Sequence, residues 1–308
     1  MSVVPKKINV KEVGPRDGLQ NEKLLLPTED KISWINALSR TGLSYIEITS
    51  FVHPDWIPQL KDAQEVADGI NRHPGVTYAA LVPNQRGLER ALSAGIDEVS
   101  VFMSVSESHN RKNINKSIEE TFPVLQDVVD TAKCERKKVR AYLSTVFGCP
   151  YQGRVEIQDV MRICDRLFTM GIDELSLGDT IGIANPKQVD ELLAKLLPRF
   201  REGTIALHFH NTRGMALANV WSALQHGVAT FDASLGGLGG CPYAKGASGN
   251  LATDDLVFML EQMGINTGVD EARLQNAAAF IEKRLGKTLP SQQRRLQTAT
   301  QGGDSFVR

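Results

Sequence analysis

Cysteine is scarce. The 308 residues contain four, at positions 134, 149, 164 and 241. They form no C-x-x-C pair and show no zinc-ligand spacing, so neither a redox motif nor a structural zinc site is expected. Long apolar runs are missing too: none approaches the ~20 residues of a membrane span. The opening "MSVVPKKINV" lacks both a secretion-signal core and transit-peptide character, and the closing "GGDSFVR" carries no anchor or address. No membrane partner is expected, and the cytoplasm is the expected compartment. Nor is there an excess of charge, with 35 basic residues against 36 acidic ones. Nucleic-acid binding needs a concentrated basic face. The one basic cluster, "CERKKVR" (Cys134–Arg140), follows a helical stretch and reads as a solvated helix end, so no nucleic-acid partner is expected.

What is present is a recurring unit. Apolar, β-rich runs lie at Ile8–Val13, Tyr45–Phe51, Thr77–Val82, Glu98–Ser104, Val139–Val146, Glu174–Leu177, Thr204–Phe209 and Thr230–Leu235. Amphipathic helical runs separate them. "TEDKISWINALSRTG" is one, with Thr28 as the expected cap, early acids and a terminal glycine. Gly42, Gly95, Gly171 and Gly227 each end a helical run before the next strand. Strand then helix, eight times without a composition break, predicts an α/β fold: a parallel (β/α)₈ TIM barrel. A doubly wound sheet would carry a glycine-rich phosphate turn after its first strand, but "GPRDGLQNE" follows here. The expected organisation is a single catalytic domain over 1–308, with the barrel at about 7–264. A C-terminal helical segment at about 269–290 ("DEARLQNAAAFIEKRLGK") packs under the barrel or against a second subunit.

Catalytic residues of such a barrel sit where strands end. The first strand ends in "VGPRDG" with Arg16 and Asp17, the second in "IEITSF" with Glu47, and the sixth in "LSLGDTIG" with Asp179. The seventh ends in "LHFHNT" with His208 and His210, and the eighth leads into "SLGGLGGCPYAKGASGN" with Cys241 and Asn250. Alternation along a strand puts His208 and His210 on one face, opposite Leu207 and Phe209. Two imidazoles converging at a mouth point to a metal ion. A third ligand must come from another strand, and Asp17 is the best placed. Imidazole with oxygen ligands shifts preference toward Mn²⁺, Co²⁺ or Zn²⁺, and the lack of thiolates argues against structural zinc. Arg16 diverges from Asp17 and can reach a substrate oxygen. "GLGGC" reads as too glycine-rich for a strand or helix. No Gly-Lys-Ser/Thr follows it, so it is not a Walker loop. A lid carrying Cys241 fits better.

The motifs "VGPRDGLQNE", "GLSYIEITSFV", "SLGDTIG", "ALHFHNTRG" and "GGLGGCPYAKGASGN" resemble those of the 3-hydroxy-3-methylglutaryl-CoA lyases, in the same order from about Lys7 to about Gly264. The Arg-Asp and His-x-His elements are shared with the wider superfamily of isopropylmalate, homocitrate and citramalate synthases. The GGLGGCPYA segment is more specific to the lyases. The resemblance implies that Asp17, His208, His210 and Asn250 hold Mg²⁺ or Mn²⁺. It implies that Arg16 contacts the thioester carbonyl, that Cys241 is a catalytic acid or base, and that Glu47 and Asp179 are active-site carboxylates. The implied reaction cleaves (S)-3-hydroxy-3-methylglutaryl-CoA to acetyl-CoA and acetoacetate. The alternative is a related lyase or aldolase acting on another branched 3-hydroxyacyl-CoA. An acyl-CoA substrate and a homodimer are implied by the same analogy. Asn211 and His53 depart from the family pattern and could tune the pocket.

Overall fold

The computed structural model describes residues 4–241 and 244–301, without the side chains of 240–248 and 300–301. Eight parallel strands close into a barrel in chain order. They are β1 (Asn9–Glu12), β2 (Tyr45–Ser50), β3 (Thr77–Leu81), β4 (Glu98–Ser104), β5 (Lys138–Ser144), β6 (Glu174–Asp179), β7 (Ile205–Phe209) and β8 (Thr230–Ala233). β1 pairs with β8 from Asn9↔Thr230 to Glu12↔Ala233, which seals the ring and sets the first unit beside the last. Burial on both faces explains the near-continuous apolar runs; all six residues of β2 are buried.

The helices are α1 (Thr28–Leu38), α2 (Ala63–Gly69), α3 (Gln85–Ser93), α4 (Glu107–Ile114), α5 (Ile118–Cys134), α6 (Ile157–Thr169), α7 (Pro186–Leu196), α8 (Ala216–Gln225), α9 (Thr253–Gln262), α10 (Glu271–Leu285) and α11 (Gln292–Gln301). Their starts are written locally. Ser117 and Glu120 form a capping box on α5, and Asn185 and Gln188 form one on α7, with Pro186 in its first turn. Thr28 differs from expectation. It is the first helical residue, and its hydroxyl donates to Asp62 (2.7 Å) across the structure instead of capping its own helix.

α10 packs on α1 and α9 of its own barrel, and α11, which the sequence pattern did not reveal, packs on α9. Between them Ser291 reaches the exit of β8. Its N–H donates to the Gly236 carbonyl (3.1 Å) and its hydroxyl to Asp254 (2.5 Å). The glycine-rich run also departs from expectation. Gly236, Gly237 and Gly239 hold positive φ, but Gly240–Cys241 is extended as β9 and pairs antiparallel with β10 (Ala244–Ser248). The left-handed turn uses up the glycines, and ladder pairing then extends the chain despite its composition. Cys134 is exposed, whereas Cys149 and Cys164 are buried.

Candidate active site

The end of β1 turns sharply. Gly14–Gly18 forms one π-helical turn in which the N–H groups of Arg16, Asp17 and Gly18 all donate to the Val13 carbonyl. The sequence GPRDG permits it. A Cβ on Gly14 would come within 2.5 Å of Glu12 Oε1 and 3.0 Å of Trp34. Pro15 starts the turn, where no N–H is needed. The turn aims Arg16 and Asp17 into the mouth. Arg16 Nε donates to Glu47 Oε2 (2.5 Å) and Arg16 Nη1 to Asp17 Oδ1 (2.6 Å). Burial alone would lower the Arg16 pKa, but Glu47 and Asp17 more than offset it and hold the guanidinium charged. Asp17 is largely shielded from solvent, and the charges of Arg16, His208 and His210 outweigh that desolvation and lower its pKa.

β7 supplies the imidazoles. The His208 and His210 ring centroids are 5.2 Å apart, so the two share a face as the alternation predicts. Burial, and then the neighbouring His208, push His210 down to about 4, which keeps it neutral and able to ligate at neutral pH. Asn250 arrives by a detour. The chain leaves β8, makes the glycine turn and the hairpin, and returns beside the end of β7. There Asn250 bridges to His210 and the Leu251 N–H donates to the Phe209 carbonyl (2.9 Å). Asn250 Nδ2 then donates to Asp17 Oδ2 (2.8 Å) and to the Leu238 carbonyl (3.0 Å).

One donor atom from each of Asp17, His208 and His210 lies within 4.8 Å of the others. Asn250 Oδ1 and His210 Nδ1 are buried without a hydrogen-bond partner, which is costly unless something else engages them. A carboxylate, two imidazoles and an amide oxygen form a mixed N/O set that suits a divalent cation.

Of the residues expected at the mouths, Arg16, Asp17, Glu47, His208, His210 and Asn250 come together in this way. Asp179 is close by, but its carboxylate is engaged by the N–H groups of Ile183 (2.9 Å) and Ala184 (3.1 Å). Burial raises its pKa to about 6 against those bonds. The cavity wall near it comes from Gly178 and Thr180. The Cys241 side chain lies outside the described residues. Asn211 lies before α8 and accepts from the N–H of its first residue, Ala216 (3.2 Å). His53 is exposed, with its ring centroid 6.3 Å from that of Trp56.

A cavity of about 550 Å³ opens over this cluster. Its wall includes Arg16, Asp17, His208 and His210, and also Tyr142, His109 and Lys116, which sequence reasoning had not singled out. The Tyr142 ring lies between Arg16 (5.1 Å) and Arg140 (4.6 Å), and its hydroxyl donates to Glu47 (3.2 Å). The available signal was alternation in β5, where Arg140, Tyr142 and Ser144 interrupt an apolar strand at every second position. His109 contacts Ser104 Oγ (2.6 Å). Asp232 of β8, also missed, stands beside His208 on the neighbouring strand, its Oδ2 3.3 Å from Nδ1.

Comparison with known proteins places the chain in a family. The HMGL-like family model matches residues 7–281. The chain is 64% identical over 287 residues to the hydroxymethylglutaryl-CoA lyase YngG of Bacillus subtilis, covering 93% of this chain and 96% of that one. A crystal structure of the B. subtilis HMG-CoA lyase superposes with a TM-score of 0.95 at 62% identity, covering 96% of this chain and 99% of the other. An HMG-CoA lyase from Acinetobacter baumannii, in complex with coenzyme A and 3-methylmalate, superposes with a TM-score of 0.91 at 39% identity, covering 100% and 99%. The chain belongs to the HMGL-like family.

Proposed function

We propose that this chain is a divalent-metal-dependent carbon–carbon lyase that cleaves (S)-3-hydroxy-3-methylglutaryl-CoA to acetyl-CoA and acetoacetate. One observation carries the reading. The Asp17, His208 and His210 donors converge beside Arg16 in a chain 64% identical to a lyase of that name. The reading includes Mg²⁺ or Mn²⁺ as the ion, an acyl-CoA substrate, a homodimer and a cytoplasmic location.

The C3 hydroxyl loses its proton, the C2–C3 bond breaks, and its electron pair moves into the thioester as an enolate. Protonation at C2 gives acetyl-CoA, and C3 becomes the ketone of acetoacetate. Asp17, His208, His210 and Asn250 would hold the cation. When bound, that cation supplies Lewis acidity that lowers the pKa of a substrate hydroxyl and fixes its position. Arg16 donates to the thioester oxygen as its charge grows, so its contribution falls mainly on the transition state. Glu47 and Tyr142 restrain that guanidinium and so reduce its reorganisation during reaction. Cys241 exchanges a proton with substrate, as acid or base. Asp179, tied to the Ile183 and Ala184 N–H groups and set behind the cavity wall, would share proton transfer only through a water that it holds.

The test is acetyl-CoA release from 3-hydroxy-3-methylglutaryl-CoA and from homologous branched 3-hydroxyacyl-CoAs, with and without EDTA and added Mg²⁺ or Mn²⁺. Turnover of the first substrate, lost in EDTA and restored by metal, is expected. EDTA-insensitive turnover would refute the metal role. A preference for a different acyl chain would refute the substrate.

A further inference from the structure

We propose that Asp232 is a positioning residue that presents His208 to the metal site, and that a line of buried charges across the barrel interior holds Asp232 in place. The inference rests on the metal reading of the site and extends it below the mouth.

Asp232 and His208 are register partners across β7 and β8. Asp232 Oδ2 lies 3.3 Å from His208 Nδ1 and accepts from the Ser176 hydroxyl (2.7 Å). Its Oδ1 accepts from Arg140 Nη2 (2.6 Å). Arg140 is fully buried, and its Nε donates to Glu174 Oε1 (2.5 Å). Lys11 Nζ lies 2.7 Å from the same Glu174 oxygen and 3.5 Å from Glu98 Oε1. The line therefore runs Lys11, Glu174, Arg140, Asp232, His208 across the barrel interior.

TIM-barrel interiors are ordinarily filled by branched apolar side chains, and replacing buried ion pairs with such residues is often neutral or stabilising. Packing alone does not call for this line, but its upper end does. A neutral imidazole carries one proton. His208 Nδ1 makes no formed hydrogen bond among the described residues, but the Asp232 carboxylate 3.3 Å away attracts the imidazole proton to that nitrogen and leaves the Nε2 lone pair to ligate. His208 Nε2 faces Asp17, 3.9 Å from Oδ2, among the other donors. Ser176 and Arg140 each hold one Asp232 oxygen, which fixes how the carboxylate meets the ring.

The test uses Asp232→Asn, equal in shape but able to donate toward Nδ1. Metal-free protein labelled with ¹⁵N-histidine reports the tautomer, the His208 signal being assigned by its loss in His208→Gln. Mn²⁺ affinity is measured separately by electron paramagnetic resonance. Wild type is expected to show the Nδ1–H tautomer. In Asp232→Asn the Nε2–H form should appear and Mn²⁺ should bind about 10- to 100-fold more weakly. If Asp232→Asn only lowers Tm, with tautomer and Mn²⁺ affinity unchanged, the proposal fails while the metal site stands. If wild type itself binds no Mn²⁺, both fail. Should Asp232→Asn not fold, Ser176→Ala is read by the same two measurements. A minor Nε2–H population with Mn²⁺ binding weakened by less than about 10-fold is then expected, and no change in either overturns the proposal.

Discussion

The two sides of the β1–β8 seam treat buried charge in opposite ways. On the inner side, Asp232 and Lys11 meet ions of opposite sign. Burial would raise the Asp232 pKa, but Arg140 and His208 outweigh it and hold the carboxyl well below the usual range. On the outer side Glu12 meets no cation among the described residues. It accepts from the N–H groups of Gly14 (2.7 Å) and Leu235 (2.9 Å) and from the Thr253 hydroxyl (2.6 Å). Burial nevertheless pushes it up to about 7, and Asp254 behind it to about 6. Three hydrogen bonds satisfy the lone pairs of a buried carboxylate without supplying a countercharge. The difference divides the work. The inner charges lead to the metal ligands. Glu12 fastens together the turn bearing Arg16 and Asp17, the exit of β8 and the start of α9.

The largest effect should come from Arg140→Met. It strands Asp232 and Glu174 without their cation and should cost about 3–5 kcal/mol in chemical denaturation. A loss no larger than that of a surface pair would erase the distinction between the two sides. Arg16→Gln should lower kcat by about 10²–10³ in the acetyl-CoA assay, and unchanged kcat would remove Arg16 from the transition state. Glu12→Gln sharpens the contrast through pH. Between its ordinary 4.5 and about 7, folded Glu12 keeps a proton that the unfolded chain has released. Stability from this group therefore falls as pH rises through that window, by on the order of 3 kcal/mol in full. Protonated Glu12 is close in shape and charge to glutamine, so unfolding free energies of wild type and Glu12→Gln should be similar near pH 5 and diverge toward pH 8 as the wild type loses this contribution; parallel curves would show that Glu12 is ionised throughout. The smallest effect belongs to Lys287→Ala. It breaks a half-exposed pair with Glu22 (2.6 Å) and should shift unfolding by less than about 1 kcal/mol.

The barrel was legible because both of its periods are local. Tyr45–Ser50 reads as a strand buried on both faces, and Ile118–Cys134 reads as a capped amphipathic helix, before any neighbour is known. α11 was not legible. Its polar sequence, QQRRLQTATQ, carries little apolar periodicity, and it docks through Ser291, Arg294 and the barrel's Asp255. The mouth was legible where chemistry-bearing residues interrupt strand ends, as at Arg16, Asp17, His208 and His210. Asp232, Arg140 and Tyr142 were harder to find because they lie within strands, where a polar residue looks like an irregularity in an apolar run.

By itself the sequence determined the alternating elements, the turn that aims Arg16 and Asp17 into the mouth, and the common face of His208 and His210, since each depends on residues within a few positions of one another. Tertiary structure alone decided that Asn250 returns to Asp17, that Arg140 lies between Glu174 and Asp232, and that Asp232 meets His208. Those contacts join residues far apart in the sequence. They arise only when the sheet closes and its register is set, and no local propensity encodes which distant charge will stand opposite.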